Sequence, residues 1–189
     1  MDSFVTVYVR NPRRLAAFAA ALVLIIISLM ISQSKSLAAE RDNIDAEYSD
    51  LNNGGAIAYN LAHRDTDCVN LVTMAVKVLP SDDAAITGLT DARTALESAA
   101  SPQAKFTANQ NLNTAFYALY DKLETAYKDT PDSLTKVSSL EADFRSCNDI
   151  ISHNTYNADA AKFNKKLGNP VNAVLGSFLG VKTLELFGV

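Results

Sequence analysis

Tryptophan is absent from this chain of 189 residues, and glycine (seven), proline (five), cysteine (two) and histidine (two) are all scarce. So few turn formers count against a sheet of many short strands, and with alanine, leucine and asparagine plentiful the composition reads as all-α. The two cysteines, Cys68 and Cys147, lie far apart and outside any CxxC spacing, which signals neither a zinc site nor a thioredoxin-type centre. They read as buried free thiols, a disulfide being open only if the domain lies outside the cell membrane. His63 and Asp67, at i and i+4, supply two ligands where a metal site needs three or four. There is no phosphate-cradling glycine loop, nucleophile elbow or HExxH, and the carboxylates are scattered over helix faces. The sequence therefore points to no catalytic, cofactor-binding or metal-binding residues, to no cofactor, and away from an enzyme.

Charge is missing in one place above all. No charged residue occurs between Arg14 and Lys35, and twenty helical positions of about 1.5 Å each reach roughly 30 Å, enough to cross a bilayer once. The run LAAFAAALVLIIISLMI, from Leu15 to Ile31, is its core. A secretory signal peptide, cut near Ser36-Leu37-Ala38, is the competing reading. The length of the apolar core and the aromatic, β-branched front MDSFVTVYVRNPRR favour an uncleaved anchor. Arg10, Arg13 and Arg14 precede the run and Lys35 and Arg41 follow it, a margin that places the N-terminus in the cytoplasm and the rest on the extracytoplasmic side. Residues 1–41 carry five basic and two acidic side chains, net +3, so the remainder carries −7 of the total −4. An acidic domain of that kind is a poor nucleic-acid binder.

Past the anchor the apolar residues recur at helical spacing. The reading is a basic N-terminal tail (1–14), a transmembrane helix (15–34), a helical stalk (35–56), an elongated antiparallel helical bundle (57–168) and an apolar C-terminal tail (169–189). Gly54-Gly55 is a plausible bend after the stalk. Ile57, Leu61, Arg64, Cys68, Leu71, Ala75 and Val78 follow a 4,3 repeat, the pattern of a coiled-coil-like seam. Pro80-Ser81 ends that helix, with Ser81, Asp82 and Asp83 opening the next, whose stripe is Ile86, Leu89, Ala92, Leu96 and Ala99. Ser101-Pro102 opens a third helix carrying Phe106, Leu112, Phe116, Leu119, Leu123 and Ala126. One last long helix runs from near Ser133 to Gly168-Asn169-Pro170, burying Leu134, Val137, Leu140, Phe144, Cys147 and Ile151. The tail after it has too few uncharged residues to span a membrane, so it packs back on the bundle or leaves an apolar patch for a partner or a lipid surface.

Arg64 with Asn70-Leu71-Val72, Ala92-Arg93, and the pairs Tyr156-Asn157 and Phe163-Asn164 ahead of a Pro-Val-Asn-Ala-Val-Leu-Gly-Ser-Phe tail resemble the LemA family, over roughly Ile57 to Phe187. A short N-terminus followed by one membrane helix is that family's layout. The chain departs from the pattern at Gly54-Gly55, where the family has tryptophan, at Val69 in place of proline, and at Thr66 in place of aspartate. The resemblance implies a divergent, membrane-anchored helical protein without an assigned reaction.

Seven residues stand out as candidates for an interaction site or a polar seam: Arg64, Asn70, Arg93, Tyr156, Asn157, Phe163 and Asn164. An arginine within an apolar stripe needs acceptors, because an unpaired buried charge costs several kcal/mol in order of magnitude. Glu97, Asn157 and Asn164 are the expected ones, Glu97 also being placed to pair with Arg93 at i, i+4. Tyr156-Asn157 and Phe163-Asn164, seven residues apart, stack two rings and two amides along one helix. Such amides either fix register in a bundle seam or form a ladder that hydrogen-bonds a peptide or partner helix. Two functions follow: an integral, single-pass scaffold whose bundle binds a protein partner of unknown identity, or a sensor-like bundle holding a small anionic ligand between its helices. An enclosed pocket among the polar side chains favours the sensor; a filled seam beside an apolar groove favours the scaffold.

Overall fold

The structure, a computed structural model, describes residues 12–188. The tail expected over 1–14 lies outside them except for Pro12, Arg13 and Arg14. The fold is all-α, with an apolar first helix: α1 (Pro12–Ser49), α2 (Ile57–Ala75), α3 (Ala84–Ser98), α4 (Pro102–Ala126), α5 (Pro131–His153), α6 (Tyr156–Leu167) and α7 (Pro170–Ser177). Two compact units form. One joins the described residues up to Asp42 to Lys165–Lys182; the other joins Asn43–Asn164 to the residues from Thr183 on. Neither is contiguous in sequence, so the apolar tail is not one element.

In the second unit α2, α3, α4 and α5 make an antiparallel bundle, with α2 packed on α3, α4 and α5, and α4 also on α3 and α5. The stripes form its core: Leu61, Cys68, Leu71, Leu89, Leu112, Phe116, Leu119, Leu123, Val137 and Phe144 are all buried. Phe116 and Phe144 stack nearly parallel with ring centroids 3.7 Å apart. The helix starts follow capping chemistry. Ser101 accepts from Ala104 N–H ahead of Pro102, and at α3 Asp83, rather than Ser81, is the cap, accepting from Ala85 N–H at 2.8 Å.

The long last helix of the sequence reading is broken. α5 ends at His153 and α6 begins at Tyr156, because Asn154 turns the chain. Its Oδ1 accepts from Tyr156 N–H at 2.7 Å, while its Nδ2 donates to the carbonyls of Gly55 at 2.8 Å and Glu47 at 3.3 Å. An amide that serves two carbonyls near residue 50 and caps the next helix leaves no room for an uninterrupted run. Helix α1 likewise ends at Ser49, before Gly54-Gly55, so the stalk expected to reach residue 56 finishes in a turn.

In the first unit α1 is long and apolar enough to cross a membrane, and its large side chains from Leu15 to Ile31 are exposed except for half-buried Met30. Ser34, Leu37, Leu167, Leu175 and Gly176 are buried. A Cβ at Gly176 would come within 2.8 Å of Leu167 Cδ1, so that side chain would have to shift to admit it. Gly180, at φ +67°, makes the turn after α7 that other residues resist.

Candidate functional site

The least expected residue of the core is also its most buried polar one. Arg64 follows Ile57 and Leu61 on the inward face of α2 and has no exposed surface. Its guanidinium lies 3.9 Å from the centre of the Phe144 ring, which is thereby held between the cation and Phe116. Nη1 donates to the side-chain oxygens of Asn109 and, at 2.8 Å, Asn148; Nη2 donates to that of Asn113 at 2.7 Å. Asn109 and Asn113 are one turn apart on α4 and Asn148 is on α5, so one side chain ties three helices together. Glu97, Asn157 and Asn164, the acceptors expected from the sequence, take no part. The choice was decided by the rotation of α4 and α5 about their own axes, which presents amides to α2.

Among the described residues no carboxylate forms an ion pair with this charge. Burial pulls the guanidinium down to about 10, against the opposing pull of Cys68, Cys147, Tyr117 and Asp67, so it is still protonated at neutral pH. Only Nε lacks an acceptor. One turn along α2, buried Asp67 leaves Oδ2 without a partner. Its carboxyl is pushed up to about 6 by burial and then by Asp143, with His63 and Arg64 pulling the other way. Cys68 is buried and Cys147 half-buried, both free. Burial raises both thiols, Cys68 to about 12.

Arg93 belongs to a different site. It forms a bidentate pair with Asp65, Nε to Oδ1 at 2.8 Å and Nη2 to Oδ2 at 2.9 Å, joining α3 to α2, with Glu97 a looser neighbour at 3.5 Å. Beside that pair runs a groove of about 540 Å³, with Ala58, Leu61, Ala62 and Leu96 among its walls and Asp65, Glu97 and Lys105 as its charged groups. Lys105 is spoken for, donating to the carbonyls of Leu96 at 2.7 Å and Glu97 at 3.3 Å. Tyr48, also in the groove, has its hydroxyl pushed up to about 12 by burial, then by Tyr156, Glu185 and Asp45. Asn70 is exposed on α2 and joins none of these groups.

The four remaining candidates come together on α6. Tyr156 and Phe163 are buried with Ala160 and Leu167, and Tyr156 packs on Tyr48 at 5.2 Å between centroids. Asn157 grips the backbone of Phe187 with both ends of its amide, at 2.7 and 2.8 Å, and Asn164 grips Leu184 the same way, at 2.8 Å each. The repeats match: seven helical residues advance about 10.5 Å and three extended residues about 10 Å. Tyr156 Oη adds a bond to the Glu185 carbonyl. The ladder thus holds an extended peptide, and that peptide is the chain's own C-terminal end. Leu184 and Phe187 are buried by it.

A smaller cavity, about 260 Å³, is lined by Asn109, Gln110, Asn148, Asn154 and Asn157 among others, with no charged side chain in its wall. Asn109, Asn113 and Asn148 were not among the candidates. The available signal was a pair of asparagines one turn apart on an amphipathic helix opposite a stripe containing an arginine. Among the described residues, no group of three or more potential metal ligands is assembled. In comparisons with known proteins, the chain matches no family model, no curated protein and no solved structure.

Proposed function

We propose that this chain is a single-pass, membrane-anchored helical scaffold of the LemA type, whose bundle docks another protein. The observation that carries this reading is the contrast between a filled polar seam and an open apolar groove. The Nη groups of Arg64 are already occupied by asparagines, the ladder of Asn157 and Asn164 is occupied by the tail, and the amide-lined cavity offers no cation to an anion. The groove beside Arg93 and Asp65 has apolar walls and charged edges, the make-up of a site for an amphipathic helix. The anchor is α1, crossing the bilayer over residues 15–34 with the bundle on the extracytoplasmic side.

A photo-reactive residue at Ala62 or Thr66, in native membranes, tests the docking. A discrete cross-linked product that is lost with a change at Leu51, an exposed residue lining the groove, to glutamate (Leu51→Glu) is expected. No product from either position, together with melting shifts on screening small anions, overturns the scaffold in favour of the sensor. Resistance to carbonate extraction and external labelling of a Ser36→Cys variant are expected of the anchor; labelling only after lysis reverses the orientation.

A further inference from the structure

Four large apolar side chains of the first unit face outward: Val171, Val174, Phe178 and Leu179 are 66, 55, 63 and 50% exposed. In water a patch of this kind is an aggregation liability. Three features of the same unit say what covers it.

Depth comes first. Ser34 Oγ, buried, lies 2.7 Å from the Leu175 carbonyl and 2.8 Å from that of Met30, so α7 is fastened to the end of the apolar run of α1. A cleft of about 320 Å³, almost wholly apolar, is lined by Ile27, Met30, Ile31, Ser34, Phe178 and Leu179. Ile31 and Ile27 precede Ser34 by three and seven residues, or roughly 5 and 10 Å along the helix. That is the depth, about 5–10 Å, to which an interfacial helix sinks its apolar face.

The second feature is the end of α7. A helix leaves its last four carbonyls open, and at membrane depth no water serves them. Here all four are closed from within. Ser177 Oγ donates to Val174, Ser34 Oγ to Leu175, Leu179 and Val181 N–H to Gly176, and Gly180 N–H to Ser177. The third is charge. Lys165, Lys166 and Lys182 bracket the segment with no acidic residue between them; Lys166 is paired with Glu40, which leaves Lys165 and Lys182 as the basic side chains for a headgroup layer.

We propose that Pro170–Leu179 is a second, interfacial membrane contact, its Val171, Val174, Phe178 and Leu179 side chains sunk into the bilayer that α1 crosses and its flanking lysines among the headgroups. The inference rests on the membrane-anchored reading of α1. The absence of tryptophan makes a clean test available. Full-length Phe178→Trp, and Val174→Trp as a second position in case the first variant misfolds, are reconstituted in phosphatidylcholine vesicles with and without brominated acyl chains. Leu22→Trp reports the span, and Val76→Trp, exposed on the bundle, reports water. Blue-shifted emission, severalfold weaker acrylamide quenching than at Val76, and strong quenching by chains brominated near the headgroup are expected for position 178. If Leu22→Trp is not quenched by bromolipid, the anchor itself is wrong and this contact falls with it. If Leu22→Trp is quenched while positions 174 and 178 both remain as accessible as Val76, only this contact is overturned. Shielding of α7 that grows with protein density and shows no bromolipid quenching also overturns it, the cover then being a second copy of the chain.

Discussion

The bundle buries apolar side chains and turns charge outward, with Asn60, Arg64, Asp67 and Asn109 its buried exceptions; the unit around the first part of α1 exposes isoleucine, leucine, valine and phenylalanine and buries a serine. Both follow one tendency, that polar groups are satisfied by whatever surrounds them, with Arg64 Nε and Asp67 Oδ2 the buried exceptions. In the bundle, surface groups are left to water, while the buried guanidinium of Arg64 is paired by asparagines and the amide of Asn60 by backbone carbonyls. In the other unit the end of α7 is closed by the protein's own hydroxyls and amides. The two surfaces expose opposite chemistry, and substitutions that respect one should violate the other.

The largest effect is expected at Arg64. Arg64→Leu strands three amide oxygens inside the bundle and loses the contact with Phe144, at a cost of about 3–5 kcal/mol by denaturant melting. A variant that melts normally while losing its photo-cross-linked partner would instead make the arginine a recognition residue and blur the comparison.

Asp67→Asn should act in the opposite direction. The native carboxyl titrates near 6 rather than 3.8, so the folded state binds the proton more tightly than the unfolded one. Stability therefore falls as pH rises from about 4 to about 6, and the loss persists above. Replacement by the neutral amide should gain on the order of 2 kcal/mol at pH 7 and flatten that slope. Melting curves across this range check both; a variant less stable at pH 7 would mean that the ionised carboxylate is favourably solvated.

A smaller, local loss is expected in the ladder. Asn164→Ala removes both bonds to Leu184 and should cost about 1 to 2 kcal/mol, read as faster amide exchange over residues 184–187 with the bundle core unchanged. Global acceleration would show that the tail is part of the bundle's cooperative unit. The smallest effect belongs to the exposed apolar face: Phe178→Ser should leave bundle stability in detergent within about 0.5 kcal/mol. A larger drop would mean that the exposed ring supports the fold.

Much of the bundle was legible because helical periodicity is a property of one segment at a time. The stripes of α2, α3, α4 and α5 could be marked from spacing, although Val78 and Ala126 proved exposed. That an arginine at position 64 requires acceptors was legible too, since a cation taken out of water is costly unless it is hydrogen-bonded, whichever helix carries it. Which acceptors it finds was not. Asn109, Asn113 and Asn148 meet Arg64 through the azimuths of α4 and α5, and no single helix encodes the rotation of its neighbours. The break at Asn154 was hidden for a similar reason, its amide answering carbonyls at Glu47 and Gly55 about a hundred residues earlier.

The sequence by itself determined an all-α chain, an apolar first helix long enough for a membrane, the seams of the bundle and two amides seven residues apart. Only the tertiary structure decided that those amides hold the chain's own end, that residues 165–182 leave the bundle to join α1, and that Val171, Val174, Phe178 and Leu179 remain uncovered. Spacing along a helix specifies a face, whereas what lies against that face depends on where distant segments arrive.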